Sequence, residues 1–306
     1  MSPSSHDPRK SPDLKVSRRS LQRLARHTLR DQLQTLQKLI RDLERKKEDT
    51  VETTHQLRVT SRRADVTLRL FKHWLPERRR RWMRTTMRSL RHQAGAVRDL
   101  DLLEQKWTAP HGIAAQQVTP AAAEWFAARI DAARTDAVRT LVRWTRSSTR
   151  RRLKHRARRT VAQVRARRPH AVSTVSRKLS DLVDDFLQSL PAAAQSLPHS
   201  HETRIRARRL RYALELLTPV LPNDPSATCS WLADIQEQLG QINDDATSIR
   251  FLRESLEECP NSAVRDELQA VIDHSASAAA RRLEQYVADI EGHVQILQQA
   301  IDGWLP

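Results

Sequence analysis

The chain has 306 residues, with 54 Lys and Arg against 36 Asp and Glu and a net charge of +18. Its 5 glycines stand too far apart for a Gly-rich phosphate loop, its 2 cysteines (Cys229 and Cys259) cannot build a disulfide framework or a Cys-based zinc site, and no run of about 18 apolar residues is present to cross a membrane. What these figures leave is a soluble, intracellular protein whose partner is a polyanion.

Residues 1–16, rich in Pro, Ser and charge, are expected to form a disordered basic tail. Beyond them the sequence is rich in Ala, Leu, Arg, Gln and Glu, and Pro and Gly punctuation divides it into eight predicted helices. The first runs from about Ser17 to Lys47, the second from Val51 to before Pro76, and the third from Glu77 to Trp107. After a loop holding Pro110, Gly112 and Pro120, the fourth runs from Ala121 toward Arg168. The fifth spans Ser173 to Leu190 and is closed by Pro191; the sixth spans Pro198 to Thr218. Following the turn at 222–225, the seventh runs from Ser226 to Glu258 and the eighth from Asn261 to Ala300. No strand-like alternation interrupts them, so the fold class is all-α, with short connections favouring antiparallel packing.

The two halves of the chain repeat. His55-Gln-Leu-Arg58-Val-Thr-Ser-Arg62-Arg63 matches His201-Glu-Thr-Arg204-Ile-Arg-Ala-Arg208-Arg209 at a displacement of 146 residues. Downstream, Gly95-Ala-Val-Arg-Asp99 matches Gly240-Gln-Ile-Asn-Asp244 at a displacement of 145. Two motifs with nearly the same internal spacing, 40 and 39 residues, argue for a duplicated four-helix unit.

At about 100° per residue, His55, Arg58, Arg62, Asp65 and Arg69 fall on one helix face, opposite Leu57, Ala64, Leu68 and Phe71. His201, Arg204, Arg208, Arg211 and Glu215 do the same, opposite Leu210, Leu214 and Leu217, with Arg63 and Arg209 flanking the stripes. Cations in a row repel one another, and an anion relieves the repulsion. The planar guanidinium fork suits phosphate oxygens, and a stripe repeating about every 5.4 Å suits an extended phosphate chain. A single arginine stripe is ordinarily a solvated helix face; two in one duplicated frame favour a ligand. The third helix adds Arg81, Arg84, Arg88 and Arg91, and the fourth adds Arg139, Arg143, Arg146 and Arg150 within the basic run Arg143 to Arg168. Asp99 and Asp244 read as partners of Arg rather than as catalytic groups, and Gly95 and Gly240, inside helices, read as points of close helix approach. The charge is also segregated: Tyr212 to Pro306 holds 5 basic and 16 acidic residues, a net of −11, and residues 1–211 carry +29.

Through HQLRVTSRRADVTLRLF at 55–71, AVRDLDLL at 96–103, HETRIRARRLRYALELL at 201–217 and LGQINDDA at 239–246, the chain resembles the CHAD domain, the conserved histidine α-helical domain. The resemblance covers residues 17–303 and implies two pseudo-symmetric four-helix bundles, 17–168 and 169–303. It implies binding of inorganic polyphosphate in a basic groove, with roles for His55, Arg58, Arg62, Arg63, His201, Arg204, Arg208, Arg209 and Arg211. It also implies a cytoplasmic location at polyphosphate granules. Asp65 departs from the family, which often has a basic residue there, and is expected to pair with a neighbouring Arg. No E-x-E-x-K triplet of a triphosphate-tunnel domain is present. The expectation is a binding module and not an enzyme, without cofactor or metal, using these residues together with Arg69, Arg84, Arg88, Arg91, Arg143 and Arg150. The alternative is a non-specific nucleic-acid-binding protein, against which stand the absence of a nucleic-acid motif and an aromatic content of only 4%.

Overall fold

The computed structural model describes residues 14, 16–45, 50–110, 112–146, 148–165, 171–193 and 196–304. Of the predicted tail only Leu14 and Val16 fall among them, and Leu14 is buried. The elements are α1 (Arg18–Arg45), α2 (Thr50–Leu70), α3 (Glu77–Thr108), α4 (Ile113–Gln117), α5 (Pro120–Thr145), α6 (Ser148–Ala162), α7 (Ala171–Ala193), α8 (Leu197–Leu217), α9 (Ser226–Leu256) and α10 (Ser262–Trp304). No strand occurs among the described residues, and none of their helices is long and apolar enough to cross a membrane.

Each helix packs on its neighbours in the order its apolar face requires. In α1 the buried positions Leu21, Ala25, Leu29, Leu33, Leu36, Ile40 and Leu43 recur every three or four residues and lie against α2. The helices then run α1 on α2, α2 on α3 and α3 on α5, and again α7 on α8, α8 on α9 and α9 on α10. Helices α2 and α8 also pack on each other, one from each half. Short 3₁₀ turns follow both, Lys72–Trp74 and Thr218–Val220, at the 146-residue displacement that separates the sequence motifs. A central cluster holds apolar residues of α1, α2, α3, α7, α8 and α9, with Leu153, Ala157 and Val161 of α6. A second cluster joins Trp107 of α3, Phe126 and Ile130 of α5, Leu252 of α9, and Leu268 and Ile272 of α10.

Three boundaries differ from the sequence reading. The predicted fourth helix is two helices, because α5 ends at Thr145 with Arg146 in an extended conformation (ψ 144°). Thr145 turns its hydroxyl onto the Val142 carbonyl (2.9 Å), a side-chain bond that competes with the helical ladder at its end. Among its described residues the first half therefore holds five long helices and the one-turn α4. Pro191 does not close α7, which continues to Ala193. Pro120, expected in a loop, is the first residue of α5, where its missing N–H costs nothing.

In the second cluster the Phe126 ring lies 4.6 Å from Trp107 and 5.9 Å from Phe251, centroid to centroid. Phe126→Ala should lower the free energy of unfolding by about 3–5 kcal/mol in a denaturant titration, through the cavity it opens between the two halves.

Candidate functional site

The two stripe helices are also the most enclosed. Along α2, Leu57, Ser61, Ala64 and Leu68 are fully buried, and small hydroxyl residues fill the narrow gaps beside them: Thr67 bonds Gln32 of α1 at 3.0 Å. Along α8, Thr203, Ala207, Leu210, Ala213 and Leu214 are equally buried, and Thr203 reaches the Ser189 carbonyl of α7 (2.9 Å). Core packing on these faces fixes the rotation of both helices and turns their arginines toward the space between them.

Arg58 and Arg62 of α2, Arg91 of α3, and Arg204 and Arg208 of α8 come together there, close enough to perturb one another. Burial, then the neighbouring Arg62 and Arg204 guanidiniums, push Arg208 down to about 8. Burial, then Arg58, push Arg62 down to about 10. Burial likewise lowers Arg204, Arg91 and Arg209. All remain cations at neutral pH, held where solvation is poor and like charge is near. Arg62 and Arg208 have no ion pair and no hydrogen bond among the described residues. Together with Arg69, Arg88, Arg91 and Arg209 they line a cavity of about 190 Å³, with Val66, Ile205, Tyr212 and one carboxylate, Asp65, also in its wall.

The repeated Asp and Gly residues support this cluster. Arg58 donates to the Asp99 carboxylate (2.8 Å) and to the Gly95 carbonyl (3.2 Å). Arg204 donates to the Gln236 carbonyl (3.2 Å) and is favoured by the nearby Asp244 charge. The glycines make room for these side chains. A Cβ on Gly240 would lie 3.0 Å from Nη2 and 3.3 Å from Nε of Arg204, and one on Gly95 would lie 3.9 Å from Nη1 of Arg58. What comes close is the stripe arginine, not the backbone of the other helix.

Asp65 does pair with its neighbours: Arg69 (2.9 Å), Arg84 (3.0 Å) and, more loosely, Arg91 (3.8 Å). Burial alone would raise the Asp65 pKa, but these guanidiniums, Arg69 first, hold it below the usual carboxylate value. In the other half the corresponding pair has opposite polarity, Arg211 with Glu215 (3.6 Å). Arg63 reaches across to Glu215 (3.0 Å), and Arg209 lies beside Arg69; these two contacts are related by the 146-residue displacement. The Tyr212 ring lies under both Arg63 and Arg211, each 5.3 Å from its centroid.

The two histidines sit differently. His55 is half-buried, and burial, then Arg98, then Arg58 and Arg62, lower its pKa despite Glu52. His201 is exposed, its Nδ1 2.5 Å from Oδ1 of Asn243 on α9. Arg143 and Arg150 do not join the site. Arg143 is exposed on α5, and Arg150 pairs with Glu44 of α1. They stand apart because α6 turns back on α1 and α3 rather than toward α8. Sequence reasoning missed Tyr212 and Arg98. Tyr212 follows Arg211 directly, and an aromatic ring inside a basic run is the signal that marks it.

The family model described as CHAD domain matches residues 27–253. Among solved structures, the crystal structure of the CHAD domain from the plant Ricinus communis is similar at a TM-score of 0.66 and 21% identity, over 95% of this chain and 97% of that one. PptA from Streptomyces chartreusis is similar at a TM-score of 0.69 and 20% identity, over 87% of this chain and 98% of that one. At these identities the two structures speak for the fold. No curated protein matches the chain.

Two measurements test the geometry. Gly95→Ala should raise helix stability by about 1 kcal/mol in thermal unfolding, its new methyl meeting only ordinary contact; Gly240→Ala should gain less or lose, because Arg204 must shift. His55 stays neutral in the fold at a pH where it is already protonated in the unfolded chain, so the fold loses stability as pH falls below about 6.5 and through the lower folded-state pKa of His55. Its NMR titration midpoint should lie below 6.5 in the free protein and move up when an anion neutralises the cluster.

Proposed function

The chain belongs to the CHAD domain family, and we propose that it is a non-catalytic module that binds inorganic polyphosphate in the groove between α2 and α8. The observation that carries this reading is the cluster of Arg62 and Arg208, half-buried cations with no ion pair among the described residues. Without an anion they lower the stability of the fold; with one they become the strongest contacts in the site. Inorganic polyphosphate supplies anionic oxygens at every unit and no apolar part, which matches a cavity walled by guanidiniums.

The roles divide along the groove. Arg62, Arg208, Arg91 and Arg209 grip phosphate oxygens, helped by Arg88. Arg58 and Arg204, each tied to a helix backbone carbonyl, present their remaining N–H groups at one end. Arg69 and Arg84, steered by Asp65, extend the cationic wall at the other. Arg63 and Arg211 act through Tyr212 and Glu215 as positioning residues. His55 takes up a proton as phosphate binds, and His201, fixed by Asn243, donates to phosphate at the rim. A cytoplasmic protein built in this way would accumulate at polyphosphate granules, which present the ligand at high local density.

Binding should tighten with polyphosphate length until the groove is filled and weaken steeply with salt. Equal affinity for orthophosphate and long chains, in a calorimetric titration, would sink the reading, as would displacement of long polyphosphate by duplex DNA at equal phosphate concentration. Arg62→Met with Arg208→Met should abolish groove binding and at the same time raise the Tm of the free protein, since the apolar stem is kept and the uncompensated charge removed.

A further inference from the structure

Outside the groove the molecule carries a second concentration of cations. Helix α6 has seven Lys and Arg between Ser148 and Ala162, one His and no carboxylate. Its Leu153, Ala157 and Val161 are buried in the central cluster, which fixes its basic face outward. Against the first turns of α3 it forms a cleft of about 350 Å³ lined by Arg78, Arg79, Trp82, His155, Arg156 and Arg159. None of these residues lines the groove or the cavity beside it.

Several helix cations elsewhere on the surface come with a carboxylate one turn away: Arg80 and Arg81 with Glu77, Arg139 with Asp136, Lys178 with Asp181, and Arg206 with Glu202. The four arginines of the cleft have no such partner among the described residues. Their placement is also ordered. The Arg156 guanidinium is seated over the Trp82 ring, 4.3 Å from its centroid, and Arg159 Nη1 lies 3.4 Å from His155 Nε2.

We propose that the α3–α6 cleft is a second polyphosphate-binding surface, so that one molecule can hold two chains, or two segments of one chain, at once. The inference rests on polyphosphate being the ligand of the groove. A phosphate chain suits the cleft better than a nucleic acid does. Arg156 covers one face of its single aromatic ring, Trp82, and the remaining donors are three arginines with His155 and Thr160, a set richer in guanidinium forks for phosphate than in surfaces for stacking bases. Bivalence converts tight binding into bridging: long polyphosphate is gathered into a network, and short polyphosphate only fills the groove.

The test compares the full chain with Arg78→Gln, Arg79→Gln, Arg156→Gln and Arg159→Gln combined, and separately with Arg62→Met and Arg208→Met combined, after circular dichroism has shown both variants helical. Light scattering with long-chain polyphosphate and calorimetry at several salt concentrations are the readouts. The cleft variant should keep wild-type affinity for short polyphosphate, lose the scattering increase, and show a slope of log affinity against log salt smaller by about 3, the loss of four neutralised phosphates. Wild-type scattering and slope in the cleft variant would overturn the proposal, as would a variant that loses only binding to duplex DNA. If the groove variant binds short polyphosphate normally while the cleft variant loses long-chain binding, the groove assignment fails and the cleft stands. If the wild-type chain binds no polyphosphate, both fail.

Discussion

Arg62 and Arg208 are held half-buried, side by side, on two helices that cannot rotate away from each other. At an effective dielectric constant of about 20, neighbouring unit charges repel by roughly 2–4 kcal/mol, which is of the order that burying one leucine contributes. A core with more than a dozen fully buried leucines tolerates such a penalty. Nothing local rewards it. The helix rotation that aims these arginines inward is fixed by Leu57, Ala64 and Leu68 on one side and by Ala207, Leu210 and Leu214 on the other. The apolar faces therefore hold the electrostatic tension in place, and an anion is the group that releases it. The Arg58–Asp99 pair and the glycines serve the same arrangement, fixing the guanidiniums at one end while leaving their neighbours uncompensated.

How much of this is legible in the sequence depends on the range of the interaction. The stripes on α2 and α8 are visible because helical period and residue type together define a face, and the repeat shows that the face is reused. Asp99 as an arginine partner was readable for the same reason. The turn at Arg146 was not, because it depends on Thr145 capping its own helix and on α6 finding a place against α1 and α3. Once that turn is made, Arg143 and Arg150 lie on a different side of the molecule from Arg62. Periodicity orders residues around one helix and is silent about which other helix they face. Glu44, which takes Arg150, is 106 residues away in the chain and on α1. The glycines were misread in a related way: a missing Cβ shows that something approaches, and only the fold shows that it is Arg204 rather than a backbone.

The matching motifs of the two halves differ in charge. Asp65 with Arg69 corresponds to Arg211 with Glu215, so a one-turn ion pair is kept while its polarity is reversed. Had both halves kept the same polarity, the cation row would be either extended or interrupted on both sides of the groove. With the reversal, Asp65 draws Arg69, Arg84 and Arg91 inward on one side, whereas Glu215 draws Arg63 and Arg211 onto the Tyr212 ring on the other. The histidines diverge in parallel, one half-buried among cations and one exposed against Asn243.

This asymmetry gives the groove two unlike ends. At Val66, Arg69 and Arg209 the cavity adjoins a second one of about 550 Å³ that adds Lys72, Arg80 and Arg84, but also Asp181, Asp184 and Asp185 of α7. A phosphate chain following the arginines in that direction keeps its cationic wall on the α2–α3 side and meets carboxylates on the α7 side. Repulsion from those carboxylates does not close the route; it confines the chain to the wall formed by Arg69 and Arg84, whose own orientation is set by Asp65. At the other end Asp99 pairs with Arg58, and the Asp244 charge lies near Arg204. Acidic residues would thus shape the path of a bound polyanion from both ends; in the stretch between, the one lining carboxylate, Asp65, is taken up by Arg69, Arg84 and Arg91, and a further carboxylate beside Arg62 and Arg208 would satisfy those cations internally and remove the reason for a ligand to bind.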